Sequence, residues 1–250
     1  MRVTILGCGS SLGVPQLSCN CYVCGSSSPK NKRRRSSILV QADGTTILVD
    51  TSPDVKYQLL DNNVSFLDAI LLTHDHADHV SGIDEVRALP HNISGIDTYI
   101  DDETFLTLNM RFPYIFQNNA STSTNFITRK KMPQRFFIKN VCVQSFPQLH
   151  GRIISRGLIF DNIAYSVDFN HIPATTLKKL SGIKVWIIDC LRYSYSTSHS
   201  YLEKTLSLIE TVRPELAVLT HMGHDIEYHE ISKILPKNVI VAYDNMHIYS

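Results

Sequence analysis

No apolar run in this 250-residue chain approaches the roughly 20 residues that a membrane-spanning helix needs. The opening Met1-Arg2-Val3-Thr4-Ile5-Leu6-Gly7 lacks the longer apolar stretch and cleavage site of an export signal, so a cytoplasmic location is expected. Excess charge of one sign is also missing. Lys and Arg total 24 against 23 Asp and Glu, and a net charge of +1 argues against a globally electropositive nucleic-acid binder. Repeats and composition breaks are absent too, and with 43% hydrophobic and 19% charged residues the chain reads as one globular domain over residues 1–250. Without an export signal the six cysteines are not read as disulfides. Clustered Cys19, Cys21 and Cys24 are candidate metal ligands, whereas the isolated Cys8, Cys142 and Cys190 read as small core fillers.

What the chain does contain is Thr73-His74-Asp75-His76-Ala77-Asp78-His79, three imidazoles and two carboxylates in seven residues. It follows the apolar run Ala69-Ile70-Leu71-Leu72, so a buried strand ends in a burst of nitrogen and oxygen donors. Such donors suit zinc, manganese or iron, and a site with an open position turns water into hydroxide near neutral pH. The H-x-H-x-D-H spacing is far more specific than a lone histidine.

Alternating patterns and short buried apolar runs predict strands at residues 2–7, Ser37–Ala42, Thr46–Asp50, Ala69–Leu72, Phe136–Phe146, Gly157–Phe160, Ile163–Val167, Lys184–Asp189, Leu216–Thr220 and, as the last, Val239–Tyr243. Asp43-Gly44 and Asp161-Asn162 mark hairpin turns. Helical spacing predicts Ser52–Asp61, Gly82–Leu89, Asp101–Asn109 and Tyr201–Thr211. Residues 110–134 carry no clear pattern and read as a loop or lid. Strands and hairpins, then helix, then the same mixture again suggest two sheets face to face with helices outside.

The burst cannot complete a two-metal site alone, so further ligands are sought where other apolar runs end. Three places fit: His150 after Val141–Leu149, Asp168 after Ile163–Val167, and His221 after Leu216–Thr220. Each alone reads as an ordinary polar residue, but four such strand ends in one chain form a pattern.

With these residues in view, the chain resembles the metallo-β-lactamase superfamily over essentially its whole length. The resemblance implies an α/β protein, an αββα four-layer sandwich with its site at one edge of the sheets. It also implies that His74, His76 and His150 hold one divalent ion, that Asp78, His79 and His221 hold a second, and that Asp168 bridges both. The cysteine ligand of true lactamases is missing, so antibiotic hydrolysis is not expected. Gly7–Pro15 followed by Cys19-x-Cys21-x-x-Cys24 is similar to the PhnP-type phosphodiesterases, which carry a structural zinc. The cysteine loop, about residues 8–29, needs a fourth zinc ligand, and His224 is the candidate.

These readings lead to a metal-dependent phosphodiesterase acting on a small phosphate ester, cyclic esters included. It would use two catalytic zinc or manganese ions and one structural zinc. His199, expected at the start of a helix, resembles the leaving-group histidine of that family and is the candidate general acid. One arginine of Lys32-Arg33-Arg34-Arg35 can reach a phosphate, or the run can be a solvated face. A nuclease of the tRNA 3′-end type, a non-catalytic carrier in cofactor biosynthesis and a carboxylic-ester or thioester hydrolase are the alternatives. No membrane partner is expected, and family analogy suggests a homodimer.

Overall fold

The computed structural model describes residues 1–91, 94–116 and 126–250. Fourteen strands are present among them: β1 (Arg2–Gly7), β2 (Ser37–Ala42), β3 (Thr45–Val49), β4 (Ala69–Leu71), β5 (Ile96–Ile100), β6 (Ile127–Lys131), β7 (Arg135–Ile138), β8 (Val141–His150), β9 (Ile153–Phe160), β10 (Ile163–Ser166), β11 (Val185–Asp189), β12 (Leu216–Thr220), β13 (Val239–Val241) and β14 (Met246–Tyr249). The helices are α1 (Tyr22–Gly25), α2 (Val55–Asp61), α3 (Ala77–Val80), α4 (Asp102–Arg111), α5 (Pro113–Phe116), α6 (Ala174–Leu180), α7 (Leu202–Val212) and α8 (Tyr228–Ile234).

The strands form two seven-stranded sheets, ordered β14-β1-β2-β3-β4-β5-β6 and β13-β12-β11-β10-β9-β8-β7. Each sheet is half antiparallel and half parallel, with β3 to β6 and β10 to β13 running parallel. Strict side-chain alternation builds the layers. Ile38, Val40, Ile47, Val49 and Leu71 turn inward to the core shared with Val143, Leu158, Phe160 and Ile187. Their neighbours Leu39, Leu48, Ile70 and Leu72 turn outward, where Val55 and Leu59 of α2 and Val80 of α3 cover them. The result is the expected αββα sandwich of the metallo-β-lactamase type.

Several elements differ from the sequence reading. Phe136–Phe146 is two strands, because Lys139 takes a left-handed backbone (φ 48°) and turns β7 into β8. Val239–Tyr243 is not the last strand, since β14 follows it and closes the first sheet beside β1. Gly82–Leu89 is a 3₁₀ helix over Ile83–Ala88, and α6 and α8 were not anticipated. Of the unassigned stretch 110–134, the flanks are α5 and β6, while residues 117–125 lie outside the described residues. The basic run is not a free face. Arg33 is 2% exposed and donates to the carbonyls of Gly223 and Ile226, whereas Arg34 and Arg35 pair with Asp61 and Asp54. Among the described residues no helix is long and apolar enough to cross a membrane.

The β8–β9 pair, which carries His150, depends on a close approach at Gly157. A Cβ there would lie 2.1 Å from Phe146 Cε2 and 2.8 Å from Gln148 Oε1, so the Phe146 ring lies directly over the glycine. Gly157→Ala is therefore expected to lower stability by about 1–3 kcal/mol through overpacking. Urea unfolding reads this as a reduced midpoint at constant slope, and an unchanged midpoint would show that the ring gives way freely.

Candidate metal centre and active site

Because β3 and β4 run parallel to each other in one sheet and β10, β11 and β12 do so in the other, their C-terminal ends gather on one edge, where crossover folds bind ligands. Asp50, Thr73, Asp168, Asp189 and His221 occupy those ends or follow them within two residues, and His150 ends β8 beside them. Asp50, Asp168 and His221 have φ of 63°, 53° and 57°, so the chain leaves each strand through a left-handed residue at the donor itself. Such backbone costs about 1–3 kcal/mol per non-glycine residue and persists where the surroundings over-determine it.

All the sequence-derived ligand candidates are brought together, in the expected partition. His74, His76 and His150 form one cluster, Asp78, His79, Asp168 and His221 a second, and Cys19, Cys21, Cys24 and His224 a third. A tetrahedral ion with donors about 2.1 Å away spaces neighbouring donors about 3.4 Å apart. His150 Nε2 lies 3.2 Å from His76 Nδ1, Asp78 Oδ2 3.2 Å from His79 Nε2, and His221 Nε2 3.2 Å from Asp168 Oδ2. His74 Nε2, His79 Nε2, His221 Nε2 and Asp168 Oδ2 are buried without a hydrogen-bond partner, although His79 Nε2 and Asp168 Oδ2 lie only 2.6 Å apart. Lone pairs that crowd without bonding one another fit a cation between them. Asp168 faces both clusters, with Oδ1 3.6 Å from His150 Nε2 and Oδ2 against His79 and His221.

Titration of the metal-free groups points the same way. Burial opposes charge on His221, yet Asp168, Asp78 and Asp189 raise it to about 9, and Asp168, Asp78 and Asp50 likewise raise His79. Burial alone would raise Asp168 and Asp78, but the neighbouring histidines hold both well below the carboxylate range. Burial, followed by the charge of His79, keeps His74 neutral, and burial also lowers His150. The second cluster thus attracts positive charge, and protons fill that role when no ion does.

Tautomers are fixed from behind. His79 Nδ1 donates to Asp50 Oδ2 (2.7 Å), and Thr73 Oγ1 donates to Asp50 while accepting from His74 Nδ1 (3.0 Å). His150 Nδ1 donates to the Ser198 carbonyl (2.7 Å). Each bond leaves Nε2 free towards the cluster. Asp50 and Asp189 were not among the sequence candidates, although the strand-end rule that selected Asp168 would have found both. His199 lies not in α7 but three residues ahead of it, with Nδ1 3.2 Å from Asp168 Oδ1 and 3.3 Å from Asp189 Oδ2 and its ring stacked on His221.

The third cluster has soft donors. Sγ of Cys19, Cys21 and Cys24 lies 3.2, 3.6 and 3.7 Å from His224 Nδ1, close to the about 3.6 Å expected between sulfur and nitrogen on one zinc. No cysteine is in a disulfide. Cys21 caps α1, and the Cys24 N–H on its sulfur brings its pKa down to about 7, which favours the ligating thiolate.

Known proteins resemble the chain in sequence and in fold. The model of the beta-lactamase superfamily domain matches residues 45–222. An octanoyltransferase of Porphyromonas gingivalis is 32% identical over 98% of this chain and 51% of its own length. The chain thus spans about half of that relative. The crystal structure of a diphosphatase from the PhnP family superposes with a TM-score of 0.93 at 31% identity, covering 100% of this chain and 97% of the other. Zinc-bound PqqB from Methylobacterium extorquens shares the fold, with a TM-score of 0.83 at 18% identity and 100% of both chains covered. The chain belongs to the beta-lactamase superfamily and is of the PhnP type within it.

Proposed function

We propose that this protein is a hydrolase of the metallo-β-lactamase fold that cleaves a small phosphate diester, cyclic diesters included. The observation that carries this reading is one carboxylate, Asp168, turned towards two donor clusters at once. The similarity to a PhnP-family diphosphatase supports phosphorus as the atom attacked. Two divalent ions, zinc or manganese, held by His74, His76, His150, Asp78, His79, His221 and the shared Asp168 would polarise phosphoryl oxygens and bring the pKa of a water towards neutrality.

The chain's own residues do the rest. Asp50, Thr73 and the Ser198 carbonyl hold the ligating imidazoles in one tautomer and orientation. Near-complete burial of His74, His79, Asp168 and His221 excludes bulk water on the inner side, and exposed His76 marks the open side. His199 keeps a proton on Nδ1 between Asp168 and Asp189, and its other nitrogen serves as general acid to the departing alkoxide. A structural zinc on Cys19, Cys21, Cys24 and His224 would tie the loop after β1 to the chain three residues beyond His221, bracing the β12 exit.

Metal-reconstituted protein is expected to turn over bis(4-nitrophenyl) phosphate and a ribosyl cyclic phosphate. Turnover of a lactone alone would overturn the reading, and cleavage of pre-tRNA alone would favour the nuclease. His199→Gln should lower kcat about 10²–10⁴-fold for an alkyl leaving group and far less for 4-nitrophenolate, which departs without a proton. Equal losses on both would remove the general-acid role.

Asp50→Asn is expected to weaken metal affinity about 10–100-fold, because the His79 tautomer and orientation relax. Competition against a chromophoric chelator measures this, and wild-type affinity would remove Asp50 from the account. The metal-free protein should also lose stability as pH rises. His221 takes up its proton more readily folded, at about 9, than unfolded, at about 6.5. Its contribution, on the order of 3 kcal/mol, is complete below about pH 6.5 and is lost as pH climbs through about 9. His79 acts with the same sign, whereas His74 and His150, lowered by burial, act only below about 6.5. Urea midpoints of chelator-treated protein at pH 6.5 and 9 test this, and a higher midpoint at pH 9 contradicts it.

A further inference from the structure

The cysteine loop has little to hold it together besides its own donors. Beyond the bridge that pairs Val14 with Arg33, it forms only the four-residue α1 and one 3₁₀ turn at Pro29–Asn31. Its apolar core is Val14, Val23 and Cys24 with Cys19 and Cys21 packed against them, separate from both larger cores. Most of that core is cysteine, so what binds the sulfurs also orders the loop. Solvent reaches the cluster. Cys19, Cys21 and His224 are half-exposed, with Cys24 buried behind them and donating its backbone N–H to Cys21 Sγ at 3.4 Å. Cys8 and Cys190 are fully buried, and Cys142 belongs to no donor cluster among the described residues. The two legs of the loop grip the chain that leaves β12. Met222 donates to the Cys8 carbonyl, Ser10 donates to the Met222 carbonyl, and Arg33 donates to the Gly223 carbonyl. Gly223 donates in turn to the Leu191 carbonyl, and Leu191 to that of Ser200, directly after His199.

We propose that the cluster of Cys19, Cys21, Cys24 and His224 is a peroxide-sensitive redox switch whose oxidation loosens the chain carrying His221. This rests on the structural-zinc reading above and is independent of the reaction catalysed. A peroxide meets half-exposed Cys21, whose sulfur attacks one peroxide oxygen. The O–O bond breaks, a sulfenic acid forms, and the second oxygen leaves as hydroxide. Cys24 Sγ, within 4.8 Å of Cys21 Sγ, then attacks the sulfenic sulfur. An S–S bond replaces the S–O bond, and a second hydroxide leaves. Two thiolates, one hydrogen peroxide and two protons from solvent thus give one disulfide and two waters, with two electrons passing from sulfur to oxygen. The disulfide removes two of the four zinc donors, and Cys19 with His224 alone cannot complete a tetrahedral site. Zinc leaves and the small core loses its staple. The legs at Cys8, Ser10 and Arg33 then no longer fix Met222 and Gly223, next to His221 in the chain. A reductant and zinc reverse the change.

The test treats the full chain with hydrogen peroxide after loading zinc on the cysteine loop and manganese on the His/Asp clusters, so that zinc release reports on the thiols. Zinc should pass to a chromophoric chelator at about one per chain as two titratable thiols disappear, with the disulfide mapped by mass spectrometry to Cys21 and Cys24. Amide hydrogen exchange at Met222 and Gly223 is expected to quicken about tenfold or more, while Leu39 and Leu48 of the β2–β3 hairpin keep their protection. Dithiothreitol and zinc should restore both readouts. Cys21→Asp keeps an oxygen ligand but cannot form the disulfide, and should retain zinc and slow exchange in peroxide. Cys142→Ser should respond as wild type does. Zinc loss with unchanged exchange at Met222 and Gly223 would make the loop an isolated staple and overturn the switch. So would thiols and zinc that survive peroxide, a disulfide that still forms in Cys21→Asp, or protein that never holds zinc on its thiols. Should Cys21→Asp not fold, zinc release and exchange in wild type decide. No readout involves turnover, so a chain that cleaves no phosphate diester would count against the phosphodiesterase reading alone.

Discussion

Four carboxylates, Asp50, Asp78, Asp168 and Asp189, are buried along one edge of the sandwich, and the arrangement there answers to their charge. A buried ionised carboxylate costs several kcal/mol unless paired and hydrogen-bonded. This chain has not removed the charge by protonating it: Asp78 and Asp168 stay ionised although burial favours the neutral acid. It has instead gathered imidazoles around them, and His79 and His221 acquire a strong appetite for protons. A proton and a divalent cation compete for the same lone pairs, so the cost of burying these acids is also the source of affinity for a metal.

The topology makes that concentration attainable. In each sheet the antiparallel half supplies hairpins and edges, while the parallel half delivers successive strand ends to one side. Joining the halves face to face brings Asp50 and Thr73 from one sheet against Asp168, Asp189 and His221 from the other. Left-handed residues at three of these positions turn the chain away at once, so the donors project from rigid strand ends rather than from loops. Asp50 links the sheets chemically as well, since its partner His79 also faces Asp168.

Much of this was legible in the sequence because the signals were local. The strand patterns of Ser37–Ala42 and Thr46–Asp50 and the Asp43-Gly44 turn give a hairpin without tertiary information, and H-x-H-x-D-H names its own chemistry. The strand-end rule extended legibility to His150, Asp168 and His221, while the zinc-loop partner His224 came from the chemistry of three neighbouring thiols. Residues whose roles are relational stayed hidden. Asp50 reads as an ordinary strand terminus until His79, 29 positions later, is found against it. Arg33 belongs to a run that looks solvated, yet its guanidinium is buried among carbonyls at positions 223 and 226, a contact without local signature. The Phe136–Phe146 error has the same origin: the apolar pattern runs through the turn, and only the backbone at Lys139 breaks it.

The two kinds of donor set divide the labour by chemistry. Three cysteine sulfurs and an imidazole this close together would close every position of a tetrahedral zinc, which would leave nothing for a substrate. The His/Asp clusters do the reverse. His74, His76 and His150 supply three donors, and the exposed side of His76 leaves the remaining direction open to the surroundings. Hard oxygen and borderline nitrogen donors also discriminate weakly among divalent ions, whereas sulfur favours zinc. The sites are nevertheless joined mechanically. His221 and His224 leave β12 within one turn of chain, Arg33 clamps the Gly223 carbonyl between them, and Met222 bonds back to Cys8 at the end of β1. Rigidity imposed on the cysteine loop is thereby passed to the position of His221, so a cluster with no open coordination site still bears on the geometry of the one that has it.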